Sequence, residues 1–191
     1  PKWPSQSLLR QRAEEAMTDA VPNDVVLAWF KRSAPVTADG ATRQIKALLA
    51  SGETDAATTL IRNSWVNENF GTGQEKRFLD RYGKYIDQET HQQRLDRLLW
   101  EGRLGPASRT EKYVSKDYLL LAKARAALRS LDPGVDGAIN RVPKKYQNDP
   151  GLIYERVRWR RIKDRDQEAR DLLLSQANDL AYISIRPQYW W

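Results

Sequence analysis

The chain has 191 residues, with 32 Lys and Arg against 25 Asp and Glu, a formal net charge of +7, one His, one Met and no Cys. That length suffices for one large or two small domains, and 40% hydrophobic with 30% charged residues describes a folded, strongly hydrated protein. The absence of Cys excludes disulfide frameworks, thiolate zinc sites and thiol nucleophiles, His91 alone excludes a site needing two imidazoles, and no apolar run reaches the roughly 20 residues that span a bilayer.

Pro1-Lys2-Trp3-Pro4 carries neither an initiating Met nor a signal-peptide apolar region, which predicts a processed chain or a piece of a longer one. From there nearly every segment reads as helix. Asn23 is placed to cap a helix from Asp24 to Ser33 with Val25, Ala28 and Trp29 at helical spacing. Gly40 to Ala50 carries Ile45, Leu48 and Leu49 on one stripe, Gly52 breaks it, and Thr54 or Asp55 caps a run to Val66. Phe70-Gly71-Thr72-Gly73 lacks both the spacing and the preceding strand of a phosphate loop, and reads as an interhelical turn.

A further helix starts near Gln74 with Phe78, Leu79 and Tyr82 as its apolar face, and Asp87 caps the run to Trp100. Ser115 caps the next, whose stripe is expected at Leu120, Ala124, Ala127, Leu128 and Leu131, with alanines that let a neighbour come close. Asp132-Pro133-Gly134 stops it. Pro143 and Asp149-Pro150-Gly151 bracket a short helix. Leu152 to Lys163 is apolar on two sides, Ile153 and Val157 on one and Trp159 and Ile162 on the other, as expected of a helix held between neighbours. Tyr182-Ile183-Ser184-Ile185 is the best strand candidate, and it is short.

A pattern repeats along the chain. Leu48-Leu49-x-x-Gly52-x4-Ala57 returns 50 residues later as Leu98-Leu99-x-x-Gly102-x4-Ala107, and a degraded third copy follows Trp159 and ends in Ala169-x-x-Leu172. Each copy reads as a helix, a glycine cap and a second helix that crosses the first at a small alanine. Such units bury their apolar faces by stacking, so the expected fold is all-α, an irregular, tetratricopeptide-like α-solenoid of helical hairpins over residues 1–191.

Chemistry is sparse. The carboxylates sit in charged helix faces such as Glu14-Glu15 and Asp164 to Glu168, where solvation is expected and not tuning as a general acid. No metal-ligand spacing appears, and no cofactor and no catalytic residue is expected. Charge is concentrated from Arg141 to Arg170, which holds ten basic and five acidic residues. That span reads first as a salt-bridged helix surface and second as a polyanion contact. Trp29, Trp65, Trp100 and Trp159 read as packing residues between helices, with sugar or base stacking as the alternative. Arg158, Trp159, Arg160 and Arg161 mix aromatic and cationic groups and form the candidate glycan or anion contact. Nucleic-acid binding ranks last, since the charge excess is small and no motif for it is visible.

Several strings resemble the N-terminal helical region of the soluble lytic transglycosylases, particularly their alphaproteobacterial branch. They are Phe78-Leu79-x-x-Tyr82-Gly83, Arg94-Leu95-Asp96-Arg97-Leu98-Leu99-Trp100-x-Gly102 with Ala107-x-Arg109, Ala122-x-Ala124-Arg125-x-Ala127-Leu128, Pro150-Gly151-Leu152-x-Tyr154-Glu155-Arg156 and Trp190-Trp191. The resemblance implies a periplasmic bacterial protein of the peptidoglycan layer. There a helical superhelix precedes a lysozyme-like domain whose single Glu cleaves glycan strands without water and leaves 1,6-anhydro sugars. The family's catalytic Glu-Ser pair and Gly-Leu-Met-Gln string have no counterpart here, so no catalytic residue carries over. The expectation is a non-catalytic scaffold segment with peptidoglycan, and other cell-wall or periplasmic proteins, as partners. The alternative is a stand-alone adaptor that holds a peptide in a helical groove.

Overall fold

The two glycine turns of the repeated pattern form as read. At Gly52 (φ +80°) and Gly102 (φ +70°) the chain enters the left-handed region that glycine adopts without strain. At both, the amide one residue on bonds back to the first leucine of the pattern: Glu53 to the Leu48 carbonyl at 2.9 Å and Arg103 to the Leu98 carbonyl at 2.8 Å. That is the 6→1 bond of a Schellman cap. The third copy has the same geometry without the glycine, with Asp164 at φ 55° and the Arg165 amide 2.9 Å from the Arg160 carbonyl. Ala57, Ala107 and Ala169 of the following helices are all buried, Ala107 against Leu95, Leu98 and Leu99 and Ala169 against Ile153 and Val157 of the preceding ones.

The structure, a computed structural model, describes residues 5–176 and 185–189, and among these it forms eleven α-helices and no strand. Tyr182 to Ser184 and Trp190-Trp191 lie outside the described residues. No described helix is long and apolar enough to cross a membrane. The chain divides into two compact units, residues 1–90 and 91–191.

The first unit contains α1 (Gln6–Glu15), α2 (Asn23–Phe30), α3 (Ala38–Ala50), α4 (Thr54–Asn67), α5 (Thr72–Tyr82) and the start of α6 (Gln88–Trp100). Its core gathers Ile45, Ile61, Trp65, Phe70, Phe78, Tyr82 and Ile86. The Trp65 and Phe78 rings stack at 6.1 Å and 11°. Glu14 corrects the sequence reading: it is buried rather than solvated. Its carboxylate accepts from the Val36 amide (2.9 Å), the Thr37 amide (2.9 Å) and the Thr37 hydroxyl (2.9 Å) at the start of α3. Gly40 lets it lie against the helix, where any Cβ would collide with the carboxyl group. Asn23 likewise opens α2 instead of capping it, because its Oδ1 accepts from the buried Arg43 guanidinium at 2.9 Å. Trp29 is 40% exposed and so only partly packed, unlike the buried Trp65.

The second unit contains the rest of α6, then α7 (Leu104–Thr110), α8 (Lys116–Ser130), α9 (Val135–Asn140), α10 (Pro150–Ile162) and α11 (Asp166–Gln176). Helix α8 lies at its centre. Leu121, Ala124 and Leu128 pack with Val135, Val142 and Leu152, while Ala122 meets Leu95, Leu98, Leu99 and Ala107. The buried stripe is thus rotated from the expected one: Leu121 and Arg125 are buried, and Leu131 is exposed as a left-handed cap (φ 60°). A helix touched on two sides does not show a single 3.6-residue stripe. His91 is buried and stacks on Tyr113 at 4.5 Å.

Candidate functional site

Helix α10 carries the candidate residues, and its start is fixed by local chemistry. The Asp149 carboxylate accepts the Leu152 amide at 2.9 Å, and Pro150 supplies the preset φ of a first helical turn. Leu152 and Trp159 face α8, whereas Ile153 and Val157 face Ala169 and Leu172 of α11. The predicted two-sided character of α10 is present, but Ile162 does not share the Trp159 side. It is exposed beside Arg158 and Arg161.

A helix turns about 100° per residue, so four consecutive side chains cannot face one groove. Arg158 and Arg161 line a cleft of about 610 Å³ with Tyr154, Val157, Ile162, Asp166, Leu173 and Tyr189. Trp159 points into the unit's core, with the Arg165 guanidinium 5.7 Å from its ring centroid. Arg160 is drawn to α11, 3.6 Å from a Glu168 carboxylate oxygen that also holds Arg165 at 2.6 Å. The structure therefore joins Arg158 with Arg161 and sends Trp159 and Arg160 elsewhere.

The cleft is built on an ordered polar floor. Arg158 donates to the Arg129 carbonyl at 3.3 Å and lies 4.0 Å from Glu155. Glu155, buried, pairs with Arg129 at 2.5 Å. Burial pushes the Glu155 carboxyl up, against the pull of Arg129. The Arg129 guanidinium also stands 5.7 Å from the Tyr154 ring centroid, and Trp100 packs against Tyr154 at 5.1 Å and Tyr189 at 5.3 Å. These contacts fix both tyrosine rings, while Arg161 is exposed and makes no ion pair among the described residues.

Beneath this layer Arg125, fully buried, reaches Asp96 at 2.6 Å and Asp149 at 3.6 Å and stacks 5.4 Å from the Trp100 ring. Burial pushes the guanidinium pKa down, but Asp96 and Asp149 outweigh it and hold it above its ordinary value. Gly151 is required where α10 meets this group, because a Cβ there would strike the guanidinium.

Two fixed tyrosines, two arginines and Asp166 can stack on a ring, bind a carboxylate and accept from hydroxyls. Tyr154 could have been found from the sequence, since Tyr154, Arg158 and Arg161 follow i, i+4, i+7 spacing. Tyr189 and Asp166 have no such signal, because only tertiary packing brings them to the cleft. Elsewhere the basic span is salt-bridged only in part: Lys145 pairs with Asp117 at 2.8 Å, whereas Arg141, Lys144, Lys163 and Arg170 make no ion pair among the described residues. Compared with known protein families, curated protein sequences and solved structures, the chain finds no match.

Proposed function

We propose that the chain is a non-catalytic helical segment of a periplasmic, peptidoglycan-cleaving lytic transglycosylase, and that it holds glycan strands through the α10–α11 cleft. The observation that carries this reading is the pairing of Arg158 and Arg161 with the fixed Tyr154 and Tyr189 rings. Sugar rings stack on such aromatic faces, and an exposed guanidinium binds a carboxylate, whether of a stem peptide or of an N-acetylmuramic acid unit whose peptide has been removed. Asp166 supplies an acceptor for ring hydroxyls. The string Arg94 to Gly102 and the repeated hairpin turns support the family resemblance.

Co-sedimentation with purified sacculi tests the proposal. The chain is expected to pellet with sacculi, to lose about tenfold in affinity on the double change Arg158→Glu and Arg161→Glu, and to release no anhydro-muropeptides on its own. Wild-type protein that stays in the supernatant would overturn the reading.

A second reading, a peptide-binding adaptor with a tetratricopeptide-like solenoid, is favoured by one feature: Ile162 and Leu173 are exposed at the same cleft. An acidic peptide that binds with micromolar affinity in physiological salt, with no retention on sacculi, would favour it.

A further inference from the structure

The α10–α11 cleft holds unpaired charges of both signs. One wall is α10, where Tyr154, Arg158 and Arg161 follow i, i+4, i+7 spacing. The other is α11, where Asp166 and Leu173 stand seven residues apart and so share a face. Ile162 and Leu173 add accessible aliphatic surface to the same cleft, 44% and 38% exposed.

Around the cleft, opposite charges pair where they meet: Arg129 with Glu155 at 2.5 Å, Arg165 with Glu168 at 2.6 Å, and Arg160 with the same carboxylate at 3.6 Å. Arg161 and Asp166 are left out of these pairs. Both are exposed, both line the cleft, and neither makes an ion pair among the described residues. Arg170, one turn further along α11, makes no ion pair with Asp166 either. The turn between the two charges is fixed by the bond from the Arg165 amide to the Arg160 carbonyl (2.9 Å) and by Asp164 at φ 55°, which keeps them on separate walls. A cation and an anion held apart in one cleft before anything binds match a ligand that carries both charges and lies between them.

We propose that the cleft binds a short peptide stem that carries both a free carboxylate and a free side-chain ammonium. The carboxylate pairs with Arg161, with Arg158 beside it, the ammonium pairs with Asp166, and the aliphatic chain of the amine-bearing residue lies on Ile162 and Leu173. This rests on the cleft being the peptidoglycan contact proposed above, and it specifies what the charges recognise: a stem whose amine has not been consumed in a cross-link. Capping the amine leaves Asp166 without its partner.

Calorimetric titration of the full chain tests it with three probes: the peptide N-acetyl-L-Ala-γ-D-Glu-L-Lys-D-Ala, the same peptide acetylated on its lysine amine, and peptide-free glycan strands. Saturable binding of the first peptide is expected, and acetylation of its lysine should weaken it about fivefold, the upper range for an ion pair at a partly exposed site. Asp166→Asn, an exposed change, should bind the two peptides equally, whereas Arg161→Gln should weaken both. Equal affinity of the wild-type chain for the two peptides, or no saturable binding of either, would overturn the proposal. So would an Asp166→Asn variant that still discriminates as wild type does. Strands that bind while both peptides fail would overturn it and leave glycan holding intact. Peptides that bind with the expected discrimination while strands fail would uphold it and overturn the sugar contact instead.

Discussion

Glu14 bonds two backbone amides and one hydroxyl at the start of α3, and all three lose their acceptor if it is truncated. Glu14→Ala is therefore expected to cost about 3 kcal/mol, read from urea unfolding, by leaving buried donors unpaired. Gly151 shows the same logic from the opposite side. Arg125 cannot retreat from an added methyl without breaking its Asp96 bond, so Gly151→Ala should destabilise by about 1–3 kcal/mol. An unchanged midpoint would mean that the guanidinium has room to move. Asp149 gives a pH dependence. Burial pushes its carboxyl up, against Arg125 and the Leu152 amide. A carboxyl raised in the folded state contributes stability below its unfolded value of about 4, and that contribution is lost as pH rises through the folded value. Asp149→Asn keeps the capping acceptor and does not ionise. Its stability relative to wild type should therefore rise as pH increases from about 4 through that window. A difference that stays flat with pH would contradict this.

At the scale of elements, the hairpin turns were the most legible feature, because a left-handed cap needs a particular residue and leaves it in the sequence. Gly52 and Gly102 are such residues, and Ala57 and Ala107 report the close crossing that follows. The third turn was readable only from its alanine, since Asp164 replaces the glycine while the 6→1 bond persists. Asp164→Gly should consequently stabilise the second unit by about 0.5 kcal/mol, whereas Gly102→Ala should destabilise it by about 1 kcal/mol. Thermal melts that move both variants the same way would contradict the shared geometry. Other elements hid for stated reasons. The α8 stripe was misplaced because two neighbours bury different faces of it. The cap of α2 was misassigned because Arg43, twenty residues on, takes the Asn23 side chain. Of the candidate site, adjacency in sequence found Arg158 and Arg161 but joined them to Trp159 and Arg160, which helical rotation carries to other faces.

For the whole molecule, the +7 charge is spread unevenly in effect as well as in sequence. Many of its cations are held by carboxylates, as Arg125, Arg129, Lys145 and Arg165 are, so the remaining reactive positive charge is local. Arg161 at the α10–α11 cleft is one of the places where it remains. Binding at that cleft should weaken with added salt, but only modestly, because one or two charges are involved. The glycan reading rests on recognition of a carboxylate beside a stacked sugar ring. Titrating soluble, peptide-free glycan strands, intact with their lactyl carboxylates free and after conversion of these to amides, measures that recognition directly. The account predicts that amidation weakens binding to the chain about tenfold, near 1.4 kcal/mol, and that the Arg158→Glu, Arg161→Glu variant no longer distinguishes the two ligands. Equal affinity of the wild-type chain for intact and amidated strands, or no affinity for either, would contradict it.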